Sequence, residues 1–253
     1  MELNICHLYP DILNLYGDRG NIITMKRRLE SRGISVNVDE CSIGQPLDVD
    51  KYDIFFIGGG QDFEQEVLLR DLASGKGKDI CTAVEEEKVF LAICGGYQIL
   101  GHEWLLGDEV VQGLGIVDMT TERAAGGSGD RLIDNIVLTS PLAKRPVVGY
   151  ENHAGRTHLG AGVEPFGAVG VFHGARQQRC RQAGRRALQE RGGHVSAWPA
   201  AGEEPRGCGH LLARALQRFA SRTGQPAIEL APLDDAVEQD ANDAMVKKLG
   251  VHR

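Results

Sequence analysis

The first stretch of the chain carries hydrophobic and polar positions in an order that predicts alternating strands and helices. Glu2–Leu8 has the pattern of a strand, and Ser35–Cys41 alternates in the way that a half-buried strand does. Between them, Asn21–Ser31 has apolar residues at helical spacing, and Gly33 follows as a stop signal. We therefore expect a strand, a helix and a second strand before residue 42.

Two continuous apolar runs follow, Tyr52–Ile57 and Lys88–Ile93, and each ends in a glycine turn. Runs of this kind are typical of parallel strands that are buried on both faces. The pattern predicts a doubly wound α/β fold with a mostly parallel central sheet. Because ligands bind beyond the carboxyl ends of such strands, we expect the two glycine turns to border a site.

Farther along, the pattern becomes more typical of β structure. We expect strands over Arg131–Thr139 and Val147–Gly155, and a glycine-rich loop over Thr121–Asp130. Helical spacing resumes at Leu211–Ala220, and the mildly acidic residues 234–248 fit either a helix or disorder. We divide the chain into a domain over residues 1–221 and a C-terminal tail over 222–253.

The segment Gly174–Gly209 differs from its surroundings. It contains seven arginines and no lysine, aspartate or isoleucine, and no strand pattern is recognisable in it. Its composition sets it apart from the rest of the domain.

Composition narrows the class of protein. The chain has 253 residues, of which 42% are hydrophobic, and a formal net charge of −7, which disfavours non-specific binding to nucleic acid. No apolar run is long enough to span a bilayer, and no signal peptide is recognisable at the start. None of the six cysteines forms a CxxC pair, so we expect no metal site and no disulfide framework, and a cytoplasmic location.

The most informative motif is Val89–Gly101, which reads VFLAICGGYQILG. A strand that runs through a sharp glycine turn into a helix places Cys94 at a nucleophile elbow. Such a turn exposes the sulfur, aims a helix N-terminus at it, which favours the thiolate, and offers the next backbone N–H to an oxyanion. A small buried cysteine at the end of a core strand is the alternative interpretation.

The second glycine turn, Gly58-Gly59-Gly60, makes the elbow interpretation stronger. Alone, it is typical of a tight strand-to-helix connection. Two such turns at neighbouring strand ends, one of them carrying Cys94, indicate a site for acyl transfer.

These two motifs, GGGQD and ICGGYQ, resemble those of class I glutamine amidotransferases of the group that includes cobyric acid synthase. Within that group, the segments HLYPDILNLYGDRGN and GYENHAGRTHLG are similar to the glutaminase subunits of lipid II isoglutaminyl synthases. The resemblance covers residues 1 to about 170 and resumes more weakly from Leu211.

The resemblance implies a mechanism and roles for particular residues. Cys94 attacks the carboxamide of glutamine and forms a thioester, with the Gly60 and Gly95 amides holding the oxyanion. Gln98 helps to line the pocket. Arg131 positions the substrate, most simply by pairing with the carboxylate of glutamine. Spacing alone favours the alternative interpretation of Arg131 as a solvated strand residue.

A partner is also implied. The chain has no phosphate-binding loop of the GxxxxGK[ST] kind, and Ser74–Gly77 fits a turn instead. We therefore expect no cofactor in this subunit. The resemblance implies a Mur-ligase-like partner that holds ATP and Mg²⁺. That partner activates the D-glutamate carboxyl of lipid II, receives ammonia, and yields D-isoglutamine in peptidoglycan precursors.

The chain departs from the family at the general base. The resemblance implies a histidine in a segment like GTYLHGPLL, but residues 192–201 read GGHVSAWPAA. One choice of codons for these residues, read one nucleotide later, encodes VGTYLHGPLL, and the same shift turns Arg176–Arg179 into GNND. We hypothesise that residues 176 to about 209 are translated out of frame, through either a sequencing error or a real mutation.

No other histidine is assigned as the base. His194 lies in the altered segment, and the resemblance gives His153 a structural or interface role. His7 and His102 are expected to be satisfied within the fold. Two rival functions remain: a non-catalytic scaffold that keeps the partner contact, and another elbow-cysteine amidase or peptidase.

Overall fold

The structure is a computed structural model built around twelve strands and six helices in the described part of the chain. It describes residues 1–13, 19–60, 62–106, 109–123, 132–153, 155–163, 166–172, 195–197 and 205–250. The strands are β1 (Glu2–Leu8), β2 (Ser35–Cys41), β3 (Ile54–Ile57), β4 (Val89–Ala92), β5 (Glu103–Leu106), β6 (Glu109–Gln112), β7 (Met119–Arg123), β8 (Leu132–Thr139), β9 (Val147–His153), β10 (Gly155–Leu159), β11 (Ala168–Phe172) and β12 (Val195–Ala197). The helices are α1 (Arg19–Glu30), α2 (Asp62–Asp71), α3 (Gly77–Glu85), α4 (Gly95–Leu100), α5 (Pro205–Thr223) and α6 (Ala236–Lys248).

The central sheet has five parallel strands in the order β12-β4-β3-β1-β2. Its strands β1 and β2 coincide with the predicted ranges, and β3 and β4 lie inside the predicted apolar runs. All four residues of both β3 and β4 are buried, as expected for strands covered on both faces. Helix α1 begins two residues before its predicted start.

Helices cover both faces of this sheet. On one face, Met25 and Leu29 of α1 and Leu212 of α5 pack with the apolar side chains of β1 and β3. On the other face, Ile80 of α3 and Ile99 of α4 join a second buried cluster. The prediction of a doubly wound α/β fold with a mostly parallel central sheet is confirmed.

Two smaller sheets complete the described structure. One has the order β10-β7-β5-β6, and the other is the antiparallel sheet β11-β8-β9. The predicted strands over Arg131–Thr139 and Val147–Gly155 correspond to β8 and β9. The prediction of a loop from Thr121 was wrong for its first three residues, because they belong to β7, where all three pair with β10 and Thr121 also pairs with β5.

The compositionally unusual segment also contains structure that its pattern did not predict. Val195–Ala197 forms β12 and pairs in parallel with β4, although no strand was expected between Gly174 and Gly209. Three residues are too few to give a recognisable alternation of apolar and polar positions. Pairing with the neighbouring strand β4 therefore accounts for this strand better than the local sequence does. Helix α5 likewise begins at Pro205, inside the same segment.

The C-terminal part of the chain packs onto the domain. Residues 236–248 form α6, whose Val246 lies against Val137 and Val148 of the three-stranded sheet. The Arg28 guanidinium donates to both carboxylate oxygens of Asp235, at 2.8 and 3.0 Å. Both side chains of this ion pair are largely buried. The division of the chain at residue 221 stays a prediction.

His7 of β1 is buried with an exposed fraction of 3%, and its ring lies 5.1 Å from that of Phe56. We expected it to be satisfied, but its Nε2 accepts or donates no hydrogen bond with any described residue. Burial has the largest effect and lowers the pKa of His7 below its usual value. The charge of Glu40 raises this pKa to a smaller extent, and the charge of Arg19 lowers it further. His7 is therefore held as the neutral imidazole.

This burial predicts a loss of stability in acid. Below pH about 6.5 the unfolded chain binds a proton at His7 that the folded chain does not, so stability falls as the pH drops through that value. We expect the urea midpoint to fall less between pH 7.5 and 5.5 in His7→Gln than in the unaltered chain. An equal pH dependence in the two proteins would contradict this assignment.

Candidate active site

Cys94 lies where β4 gives way to α4, and its backbone is strained. Its φ is 50° and its ψ is −110°, a conformation that non-glycine residues rarely adopt. The side chain is exposed, while Ala92 before it and Gly95 after it are buried. The turn thus presents the thiol at the carboxyl edge of the central sheet, as the motif predicts.

The elbow is fastened to the first glycine turn. The amide of Gly96 donates to the carbonyls of Gly58, at 3.0 Å, and Ile93, at 2.9 Å. A Cβ on Gly96 would lie 2.7 Å from the carbonyl oxygens of Ile57 and Gly58. Only glycine allows this approach, and the two predicted glycine turns are therefore brought together.

Gly60 and Gly95 belong to the two glycine turns that the Gly96 amide joins. Gly95 immediately follows Cys94, and Gly60 ends the turn whose first carbonyl receives the Gly96 amide. Neither the Gly60 nor the Gly95 amide donates a hydrogen bond to another described residue. Their assignment as oxyanion donors stays a prediction, and the backbone arrangement is compatible with it.

Gln98 lies one helical turn beyond the thiol, and its backbone N–H donates to the Cys94 carbonyl at 3.1 Å. Its half-buried side chain reaches the four-stranded sheet, where its Nε2 would lie 3.0 Å from a Cβ built on Gly155. Sequence reasoning did not find this contact, because it joins two elements that no local pattern connects.

The remaining predicted residues lie outside this geometry. Arg131 and His194 fall outside the described residues, so their roles stay predictions. The adjoining strand β12 is described, and its Ala197 is the register partner of Ala92. The end of β12 therefore lies beside the end of β4, the strand that leads to Cys94.

Two other histidines have partners away from the thiol. His102, beyond the end of α4, lies 3.1 Å from an Asp118 carboxylate oxygen on the surface, as expected of a satisfied histidine. His153 lies 2.9 Å from the Gly155 carbonyl through its Nδ1, which must be the donor because a carbonyl only accepts. Neither contact makes these side chains a base for Cys94.

The lysine of the SGKG segment is not a phosphate ligand. Lys76 ends an irregular helical turn, Leu72–Lys76, and is buried. Its ammonium group lies 2.7 Å from the Asp71 carboxylate and 4.7 Å from the centre of the Tyr9 ring. A paired and buried ammonium has no access to a nucleotide.

Within the described ranges, no three His, Cys, Asp or Glu side chains are grouped so as to hold a metal ion. Over the same residues, no helix combines the length and the apolar character that crossing a bilayer needs.

A doubly wound sheet with a strained cysteine elbow beside a glycine turn is the arrangement expected of a class I glutamine amidotransferase. The model of the CobB/CobQ-like glutamine amidotransferase domain matches residues 4–195, and the chain belongs to this family. The predicted resemblance is thereby confirmed, including its enzyme class.

Particular relatives narrow the comparison. The chain is 37% identical over 179 residues to the lipid II isoglutaminyl synthase (glutamine-hydrolyzing) subunit GatD of Streptococcus pneumoniae, covering 70% of this chain and 67% of that one. It is 41% identical over 170 residues to the GatD subunit of Staphylococcus aureus, covering 67% and 65%. The chain thus matches about two thirds of the length of each relative.

Solved structures agree on the fold. The structure of PurLQS from Thermotoga maritima matches with a TM-score of 0.52 and 17% identity, over 88% of this chain and 100% of that one. A crystal structure of a glutamine amidotransferase matches with a TM-score of 0.51 and 20% identity, over 83% and 98%. At these identities the likeness concerns the fold alone.

Gly96→Ala should damage the elbow. The added methyl group meets backbone carbonyls that cannot move, and overpacking of this kind costs about 1–3 kcal/mol. We expect a lower urea midpoint and a changed rate of Cys94 alkylation by iodoacetamide, followed by peptide mass spectrometry. Gly209→Ala is the matched control, because a Cβ there meets no atom within 4 Å. If Gly96→Ala behaved like that control, neither the stability of the protein nor the reactivity of Cys94 would depend on the close approach of the two turns.

Proposed function

We propose that the chain is the glutaminase subunit of a lipid II isoglutaminyl synthase, which hydrolyses L-glutamine through Cys94 to supply ammonia. The observation that carries the proposal is the strained, exposed elbow of Cys94 fastened to the Gly58 turn. The GatD relatives extend it from the family to this particular reaction.

The chemistry begins at the thiolate. The Cys94 sulfur attacks the carboxamide carbon, and the Gly60 and Gly95 amides hold the oxygen that becomes negative. When the C–N bond breaks, the nitrogen takes a proton and leaves as ammonia, and the acyl group remains as a thioester on the sulfur. Water then hydrolyses the thioester to glutamate and restores the thiol.

The remaining site residues orient the substrate. Gln98 lines the pocket from the helix that follows the nucleophile, and Arg131 pairs its guanidinium with the glutamine carboxylate. Both residues act on substrate binding, so their loss should raise the L-glutamine concentration that half-saturates the site.

The ammonia passes to a second subunit. Both relatives are named as subunits of a synthase, which supports a partner for this chain. In our proposal the partner is a Mur-ligase-like protein that uses ATP and Mg²⁺ to activate the D-glutamate carboxyl of lipid II. The pair would form a heterodimer in the cytoplasm and produce D-isoglutamine.

We further propose that the chain as written is impaired at proton transfer. The shifted reading of residues 192–201 places the missing histidine at position 197, which is the last residue of β12. The backbone register supports this position, since Ala197 pairs with Ala92, two residues before Cys94. A base there would stand on the strand beside the nucleophile, where proton transfer to the leaving nitrogen needs it.

L-Glutamine should protect Cys94 from alkylation even in the impaired chain, because binding does not require the general base. We expect iodoacetamide labelling of Cys94 to slow as L-glutamine rises, with D-glutamine as the control ligand. Partly exposed Cys81 is an internal control, and its labelling should not change. Cys94 labelling that ignores L-glutamine would favour another elbow-cysteine hydrolase.

Restoring the shifted reading should restore catalysis. We expect a chain carrying VGTYLHGPLL at 192–201 to release ammonia from glutamine roughly 10²–10⁴-fold faster than the unaltered chain, with the ligase subunit present. The matched control carries the same segment but keeps Ala197, so that it repairs the strand without the base. Equal rates in the restored chain and this control would exclude position 197 as the base.

The nucleotide sequence across codons 170–212 tests the origin of the segment separately. The hypothesis requires that these codons, read one base later, give the LHGP motif. If the codons match but the restored chain stays inactive beside an active partner, a non-catalytic scaffold becomes the better account.

A further inference from the structure

We infer that Gly155 is a positioning residue for the glutamine site, acting through Gln98. The inference rests on the proposed function, because Gln98 matters only if Cys94 acts on glutamine. It assigns a role to the first residue of β10, which belongs to a different sheet from the elbow.

Gly155 is enclosed by two side chains. A Cβ built on it would lie 2.8 Å from Thr121 Cγ2 and 3.0 Å from Gln98 Nε2. Contacts below 3.0 Å are essentially never made by real Cβ atoms, so any side chain at position 155 must displace a neighbour. The contact below this limit is with Thr121, whereas the Gln98 amide, at 3.0 Å, would have to shift by a few tenths of an ångström.

Of the two neighbours, Thr121 is the one that resists movement. It is 5% exposed, it is β-branched, and its hydroxyl lies 3.0 Å from that of Thr157. β-Branched side chains have restricted rotamers, whereas glutamine has three rotatable bonds. A methyl group at position 155 would therefore press on Thr121, which yields little, and would displace the Gln98 amide, which is the end of a flexible side chain.

The backbone of Gly155 is itself held in place. Its carbonyl accepts from His153 Nδ1, at 2.9 Å, and from the Arg156 guanidinium, at 3.2 Å. Gly155 also pairs with Arg123 across the antiparallel ladder of β10 and β7. Because this strand is anchored, it acts as a fixed wall against which the Gln98 amide is placed.

A displaced Gln98 side chain affects the reaction by weakening the binding of glutamine. The backbone amide of Gln98 is bonded to the Cys94 carbonyl, so its side chain projects from the turn that carries the thiol. Moving the amide group removes a polar contact from the pocket and leaves the elbow hydrogen bonds of Gly96 unchanged. Gly155→Ala should therefore weaken glutamine binding without altering the reactivity of the thiol.

The experiment measures the L-glutamine concentration that halves the rate of Cys94 alkylation by iodoacetamide in the full chain. We expect Gly155→Ala to raise this concentration roughly tenfold, equivalent to about 1.4 kcal/mol, while the alkylation rate without glutamine stays within about twofold. Gly20→Ala is the matched control and should change neither value, since a Cβ there meets no atom within 4 Å.

A double-mutant cycle tests whether Gly155 acts through Gln98. In a Gln98→Ala background, Gly155→Ala should weaken protection by less than about twofold, because the side chain it displaces is gone. A tenfold effect in both backgrounds would show that Gly155 acts independently of Gln98 and would overturn the inference.

A second variant covers the case in which Gly155→Ala does not fold. Thr121→Ser with Gly155→Ala removes the 2.8 Å contact and keeps the hydroxyl, so the urea midpoint should recover while glutamine protection stays weak. Recovery of both would mean a purely structural role and would refute the proposal. If L-glutamine fails to protect the unaltered chain, the proposed function fails; if it protects that chain and Gly155→Ala equally, only the present inference fails.

Discussion

The structure depends on one backbone amide held between two carbonyl oxygens. Gly96 donates to Gly58 and Ile93, and this bond keeps the end of β4 against the turn that follows β3. The strained backbone of Cys94, a state that costs on the order of 1–3 kcal/mol, persists because its surroundings leave no alternative. Packing that suits only a glycine therefore keeps a reactive side chain in an unfavourable conformation.

The parallel sheet explains why this strain can be sustained. β3 and β4 are buried on both faces, and Phe55 and Phe90 stack across them at 4.8 Å between ring centres. Such close packing is hardly compressible, so the turns at the strand ends have fixed starting points. Cys94 lies at the sheet edge, while the stacked rings that hold the strands lie three and four positions before the two turns.

Local patterns predicted what local patterns can encode. The continuous apolar runs, the glycine turns and the cysteine between strand and helix predicted the class of fold and the place of Cys94 at the elbow. The position of Thr121 in a strand was missed, because a glycine-rich stretch beginning three residues later obscured a short alternation. The contact of Gly155 with Gln98 was out of reach, since it arises from the packing of two sheets. For β12, pairing with β4 outweighs a local sequence that carries no strand signal.

The bond between Arg28 and Asp235 joins residues that are 207 positions apart. During synthesis, the Arg28 guanidinium can meet that carboxylate only after residue 235 has left the ribosome. Contacts so distant in sequence close late and slow the search for the native topology. Until α5 has been synthesised, the apolar face of α1 that it covers in the folded protein remains exposed, which favours aggregation of the incomplete chain.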